Sequence, residues 1–163
     1  MEYFDIHSHI LPGVDDGAQT LEEAMSMIDV AYKEGTRKLM LTPHYIRGKN
    51  SYSKEELHKR FEDFQMEVGR KYSDMKLYLG NEILYEDGII EDLKEGLIQF
   101  MNDTKYVLVE FNIRISYHQL YDAIRKLTNA RYRPIIAHVE RYRCLFKHIE
   151  RIDELVGMEA YLQ

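Results

Sequence analysis

Short apolar runs recur along this chain, and each is followed by a stretch whose apolar residues fall at helical spacing. Residues 3–6, 38–42, 77–79, 106–109 and 134–137 read as strands. Leu21, Ala24, Met25, Ile28, Ala31 and Tyr32 share one helical face, as do Leu57, Phe61, Phe64 and Val68. Leu120, Ile124 and Leu127 mark a further helix, and Leu145, Ile149, Ile152 and Val156 the last. Thr20 with Glu23, and Ser53 with Glu56, have the spacing of capping boxes. Gly35 is a natural stop for the first helix. Residues 89–97 form a short helix in this reading, Pro134 is tolerated at a strand start, and residues 161–163 begin a sixth strand. Strands alternating with helices predict an α/β fold with a parallel sheet or barrel. Five such units are too few to close a barrel of eight, so the sheet is expected to be open or the barrel incomplete.

With 163 residues and no repeat, low-complexity segment or linker, residues 1–163 are expected to form a single domain with one core. The net charge of -6 argues against a nucleic-acid or anionic-membrane surface. No apolar run reaches the roughly 20 residues a membrane helix needs, and the first residues, Met1-Glu2-Tyr3-Phe4-Asp5, lack the basic and apolar regions of a signal peptide. The single cysteine, Cys144, excludes an internal disulfide and fits a reducing cytoplasm. Cysteine-based phosphatase chemistry needs Cys-x5-Arg, but Glu150 stands where that arginine would be, and no phosphate-cradling Gly-x-x-x-x-Gly-Lys loop is present.

The chemistry-bearing residues fall in phase with the strands. His7 and His9 follow the first strand, His44 the second and Glu82 the third; Glu110 ends the fourth and His138 the fifth. Asp15 and Asp16 lie in the loop after the first strand. The carboxyl ends of parallel strands are where α/β folds build their sites. Imidazoles and carboxylates converging there form a mixed N/O donor set for Zn, Mn or Fe. Two such ions sharing a carboxylate would suit phosphate-ester hydrolysis, because they activate water and draw charge from phosphoryl oxygens. Arg141, just beyond His138, could grip phosphate through its planar fork. Each residue also has a plainer reading. A buried histidine can satisfy carbonyls, a strand-end glutamate can cap a helix, Asp15-Asp16-Gly17 can be only a turn, and Arg141 can be a solvated side chain. His58, His118 and His148 fall in or at the starts of helices and are read as structural or surface residues. The 13 tyrosines are read as packing.

The segment Asp5-Ile6-His7-Ser8-His9-Ile10-Leu11-Pro12-Gly13-Val14-Asp15-Asp16-Gly17 strongly resembles the opening signature of the capsule-biosynthesis tyrosine phosphatases. These belong to the polymerase-and-histidinol-phosphatase (PHP) superfamily. Thr42-Pro43-His44, Gly80-Asn81-Glu82-Ile83, Val109-Glu110-Phe111 and Ala137-His138-Val139-Glu140-Arg141-Tyr142 resemble the later motifs in family order. The resemblance implies a distorted barrel with a manganese site of two or three ions, for which Zn2+ or Fe2+ would also fit. It implies His7, His9, Asp16, His44, Glu82, Glu110 and His138 as metal ligands, with Arg141 and Asp16 in catalysis. It further implies a phosphotyrosine-bearing bacterial tyrosine kinase, one that regulates polysaccharide export, as substrate and partner.

The same resemblance implies a late Ser-Asp-x-His motif in a further third of the family's length, and this sequence lacks it. The expectation is therefore a C-terminally truncated chain and an incomplete barrel, binding metal more weakly, marginally stable or homo-oligomeric. Two other functions stand beside the tyrosine-phosphatase reading. One is a phosphomonoesterase acting on small molecules; the other is an inactive fragment that only binds or assembles.

Overall fold

The computed structural model describes residues 2–50 and 52–163. Among the described residues, eight strands are all paired in parallel: β1 (Tyr3–Asp5), β2 (Thr36–Leu41), β3 (His44–Tyr45), β4 (Lys76–Leu79), β5 (Glu82–Leu84), β6 (Tyr106–Glu110), β7 (Arg133–Ile136) and β8 (Tyr161–Leu162). They form one sheet in the order β1-β2-β4 and another in the order β3-β5-β6-β7-β8. The two sheets are continuous staves interrupted in the middle. Pro43 separates β2 from β3 and Gly80-Asn81 separates β4 from β5, yet Gly80 N still donates to Leu41 O at 2.9 Å and Glu82 N to Pro43 O at 3.2 Å. Six staves thus lie side by side in chain order, the arrangement that right-handed strand–helix–strand crossovers produce. His44 and Glu82, expected just after the second and third strands, open short strands of their own.

Among the described residues, five α-helices connect the staves: α1 (Leu21–Lys33), α2 (Lys54–Lys71), α3 (Ile89–Lys94), α4 (Tyr117–Asn129) and α5 (Ile149–Gly157). Thr20 and Ser53 cap α1 and α2, and in each box the side chain and the returning glutamate make both bonds. Ser116 and Gln119 form a third box at the start of α4. α3 stops sooner than expected, because Gly96 takes a left-handed conformation with φ of +75° just beyond it.

Strand alternation separates two sides. Leu39 and Leu41 face outward into the core shared with Ala24, Ile28, Leu57 and Phe64 of α1 and α2. Val107, Val109 and Ile136 face outward into the core beneath α3, α4 and α5, with Leu93, Leu120, Ile124 and Leu155. The alternate residues Met40, Leu108, Ile135 and Ala137 meet on the inner side with Met101, Ile6 and Tyr78. The staves curl, since residues beyond β1 and β8, at opposite ends of the strand order, meet where His7 Nδ1 lies 3.0 Å from Gln163 Oε1.

Candidate metal centre

The same alternation aims the site inward. Ile83 and Val109 are buried in the outer core, so their neighbours Glu82 and Glu110 point to the inner side, above Leu108. His44 and Glu82 are direct partners in the β3–β5 ladder. His7, His9, Asp16, His44, Glu82, Glu110, His138 and Arg141, with Gly17, all line one cavity of about 460 Å³. Every residue singled out from the sequence as a metal or catalytic candidate is therefore in the same place. Asp16 and Arg141 are its exposed members, at 83% and 62% side-chain exposure.

Glu82 is the hub and is almost wholly buried. Its Oε2 lies 3.1 Å from His7 Nε2, 3.0 Å from His9 Nε2 and 3.3 Å from His44 Nδ1, and its Oε1 lies 2.9 Å from His138 Nε2. Glu110 reaches His44 Nδ1 at 3.1 Å and His138 Nε2 at 3.4 Å. Asp16 Oδ1 is 3.4 Å from His44 Nε2. Burial pulls the His7 and His9 imidazoles down, but hydrogen bonds to carboxylates outweigh it; Glu82, with Gln163, raises His7, and Asp15 with Glu82 pushes His9 up to about 10. The Glu110 carboxylate beside His44 raises it in spite of burial. Burial pushes the Glu82 carboxyl up, yet the bonds from His7 and His9 hold it well below the usual carboxylate range. Such a cluster attracts positive charge, in the form of protons or a cation.

The arrangement fits a cation better than hydrogen bonds alone. His7 Nε2 and His9 Nε2 are 3.2 Å apart, and both face the same carboxylate oxygen. The buried Nδ1 of His44 sits close to both glutamates but is aligned for a hydrogen bond with neither. Two donors each ~2.1 Å from one ion lie ~3.0–3.4 Å apart at octahedral to tetrahedral angles, which is the spacing seen here. Among the described residues, three overlapping groups could hold an ion, each with ligand atoms within 4.8 Å: His9, Asp15, Asp16 and His44; His7, His9 and Glu82; and His44, Glu82 and Glu110.

Asp15 does more than turn the chain. Its Oδ2 accepts from His9 Nδ1 at 2.7 Å and from His44 N at 3.0 Å, and its Oδ1 accepts from Gly17 N at 3.0 Å. It fixes the His9 ring so that Nε2 faces Glu82. A β-carbon on Gly17 would lie 1.9 Å from His9 O, so only glycine lets the loop press against that backbone. Asn81 and Tyr142 also support the site. Asn81 Nδ2 donates to Pro43 O at 2.9 Å, and the Tyr142 hydroxyl accepts from Phe111 N at 3.0 Å. The sequence offered only weak signals for these: an aspartate in a turn, and polar residues beside motif glutamates and histidines. His58, by contrast, bonds Gln99 at 2.7 Å, His118 pairs with Asp122 at 3.2 Å and His148 with Glu150 at 2.7 Å, all outside the cavity. Cys144 is half-buried, and burial pushes its thiol up.

Parallel staves delivering imidazoles and carboxylates to one inner mouth define a PHP-type fold. Over 99% of its length the chain superposes with a TM-score of 0.88 and 28% identity on one of the solved structures of YwqE from Bacillus subtilis and CpsB from Streptococcus pneumoniae, described as metal-dependent tyrosine phosphatases. Residues 3–163 match the family described as capsular polysaccharide synthesis, CpsB/CapC, and the chain belongs to that family. It is 33% identical to the tyrosine-protein phosphatase CpsB of Streptococcus agalactiae serotype V, over 98% of this chain. It is 34% identical to the tyrosine-protein phosphatase YwqE of B. subtilis, again over 98% of this chain. The chain spans 65% of the length of the first relative and 63% of the second. Among the described residues, no helix is long and apolar enough to cross a membrane.

Proposed function

We propose that this chain is a cytoplasmic, metal-dependent phosphoesterase that hydrolyses phosphotyrosine on a bacterial tyrosine kinase governing polysaccharide production. Its ligands for manganese, in this reading, are His7, His9, Asp16, His44, Glu82, Glu110 and His138. The observation that carries the proposal is the setting of Glu82, whose two oxygens are ringed by four histidine nitrogens at 2.9–3.3 Å. The names of the relatives and the family description support the substrate class and its biological setting.

Bound divalent cations would supply Lewis acidity and a water nucleophile at neutral pH. The protein's part is positioning. Glu82 spans the cluster, with Oε2 toward His7, His9 and His44 and Oε1 toward His138. Asp15 holds the His9 tautomer and ring plane, as the partners of metal-ligating histidines do. Arg141, exposed at the rim, presents a planar fork to phosphoryl oxygens. Asp16, the most exposed carboxylate of the cavity, is placed to accept a proton from incoming water. Hydrolysis of a phosphotyrosine peptide with added manganese and with chelator, beside a His7→Ala variant, tests the reading. Manganese-dependent turnover lost in the variant supports it. Folded protein that binds no manganese and turns over no substrate refutes it.

A further inference from the structure

A second cavity of about 330 Å³ opens beside the metal cluster and shares Asp15, Asp16 and His44 with it. Its remaining walls are Val14, Ile46, Lys49, Asn50 and Tyr52, and most of them are apolar. Resting on the phosphatase reading above, we propose that this cavity is the subsite for the aromatic ring of an aryl phosphate, and that Ile46 selects aryl over alkyl phosphate esters. Asp16 and His44 line both cavities, so the group esterified to a phosphoryl held at the cluster has this second space directly beside it. The volume is at the low end for small-molecule sites, which suits one ring and little more. Tyr52 donates its hydroxyl to His44 O and accepts from Asn81 Nδ2, so what it offers the cavity is ring surface. Arg141 follows β7, three strands along from β3 in the sheet, which leaves the β3 side free for the leaving group.

The wall carrying Ile46 is built in advance. Lys49 N donates to Ile46 O at 2.9 Å, and Gly48 has φ of +70°, the left-handed third position of a type II turn. Asn50 Oδ1 closes the turn by accepting from Ile46 N at 2.8 Å. Arg47 anchors it from behind. Its Nε bonds Asp92 at 3.0 and 3.1 Å, and its guanidinium lies where a β-carbon on Gly88 would come within 2.2 Å. Lys49 stands at the rim with no carboxylate within 4 Å among the described residues, adding positive charge beside a dianionic ester. A subsite held this firmly needs little ordering when ligand enters.

The test uses the whole 163-residue chain loaded with manganese and two non-hydrolysable phosphonates, the analogues of phosphotyrosine and of phosphoserine. Calorimetric titration gives the ratio of their affinities. Burying a ring should favour the aryl analogue by about 10- to 100-fold. Ile46→Asp should bring that ratio to within about twofold of unity while both phosphonates still bind. Ile46→Trp, which fills the cavity with apolar bulk, should do the same and serves where the aspartate variant does not fold. Equal affinity of the unaltered protein for both analogues overturns the subsite and leaves the phosphate-binding reading standing. A preference that survives both substitutions also overturns it. If neither phosphonate binds the metal-loaded chain, the phosphatase reading fails and this inference falls with it.

Discussion

Gly17→Ala places one methyl group where the structure has no room. The new β-carbon would lie 1.9 Å from His9 O, 2.6 Å from His9 Cβ and 2.8 Å from His9 C, and contacts under 3.0 Å essentially do not occur. About 1 Å must open, and because two of the three atoms are backbone, no flexible side chain can absorb it. The loop is tied on both sides of the contact. Ala18 N donates to His9 O at 3.1 Å, Gly13 N to Ala18 O at 2.8 Å, and Gly17 N to Asp15 Oδ1 at 3.0 Å. His9 therefore moves relative to Glu82, or Asp15 releases His9. Either displacement should weaken manganese binding roughly 10- to 100-fold, the usual effect of losing a ligand's support. Overpacking of this kind costs about 1–3 kcal/mol, which in a chain of this size lowers Tm by roughly 2–12 °C. The assays are manganese titration and thermal melting of the metal-free protein. Gly69→Ala is the control of opposite sign. It lies within α2 with nothing within 4 Å of the new carbon, so it should stabilise by about 0.5–1 kcal/mol and leave manganese affinity unchanged. A Gly17→Ala protein with unaltered melting and unaltered manganese affinity would refute the argument from close approach.

Asp15→Asn replaces one of two oxygens that together accept three hydrogen bonds, so either Gly17 N or the His9 and His44 donors lose a partner. Manganese affinity should fall about 10- to 100-fold with the fold kept by circular dichroism, and an unchanged affinity would remove Asp15 from the site's support. Asp92→Ala strips a buried carboxylate from the Tyr45 hydroxyl at 2.9 Å and from Arg47. The Arg47 side chain is 47% exposed, so most of the expected loss of about 2–3 kcal/mol comes from the stranded hydroxyl; it should appear as a lower urea midpoint. Manganese at 100 times its Kd should stabilise the chain by about 2.7 kcal/mol, raising Tm by roughly 5–10 °C, with chelator reversing the shift. His7→Ala should blunt that rise, and a melt indifferent to manganese would count against a site in the folded state.

Much of the fold was legible because local rules and tertiary structure agree. Thr20 with Glu23 and Ser53 with Glu56 predict helix starts, and both bonds of each box form. Ser116 with Gln119 obeys the same rule with glutamine in place of glutamate, and could have been read the same way. β3 and β5 were not legible, because Pro43 and Gly80-Asn81 read locally as strand ends. What carries the staves across those breaks is distant in sequence. Asn81 Nδ2 bonds Pro43 O, Asn81 Oδ1 accepts from Gln99 N at 2.9 Å, and Gly80 leaves the space that Met101 fills. Asp15 was half legible. Its turn propensity was visible, but its grip on His9 and His44 depends on β1 and β2 lying side by side.

His138 shows why phase along a strand goes only part of the way toward a site. Ile135 and Ala137 point inward and Ile136 outward, so strict alternation would send residue 138 outward, away from Glu82. The chain instead takes φ of +38° and ψ of +55° at His138, a left-handed conformation that histidine adopts at some cost. That turn brings Nε2 back to Glu82 at 2.9 Å. The turn is held from outside the strand: His138 N donates to Gln163 Oε1 at 3.1 Å, and the Tyr142 hydroxyl lies 3.4 Å from His138 Nδ1. Alternation therefore accounts for Glu82 and Glu110, whereas His138 reaches the cluster through a strained backbone that its neighbours hold in place.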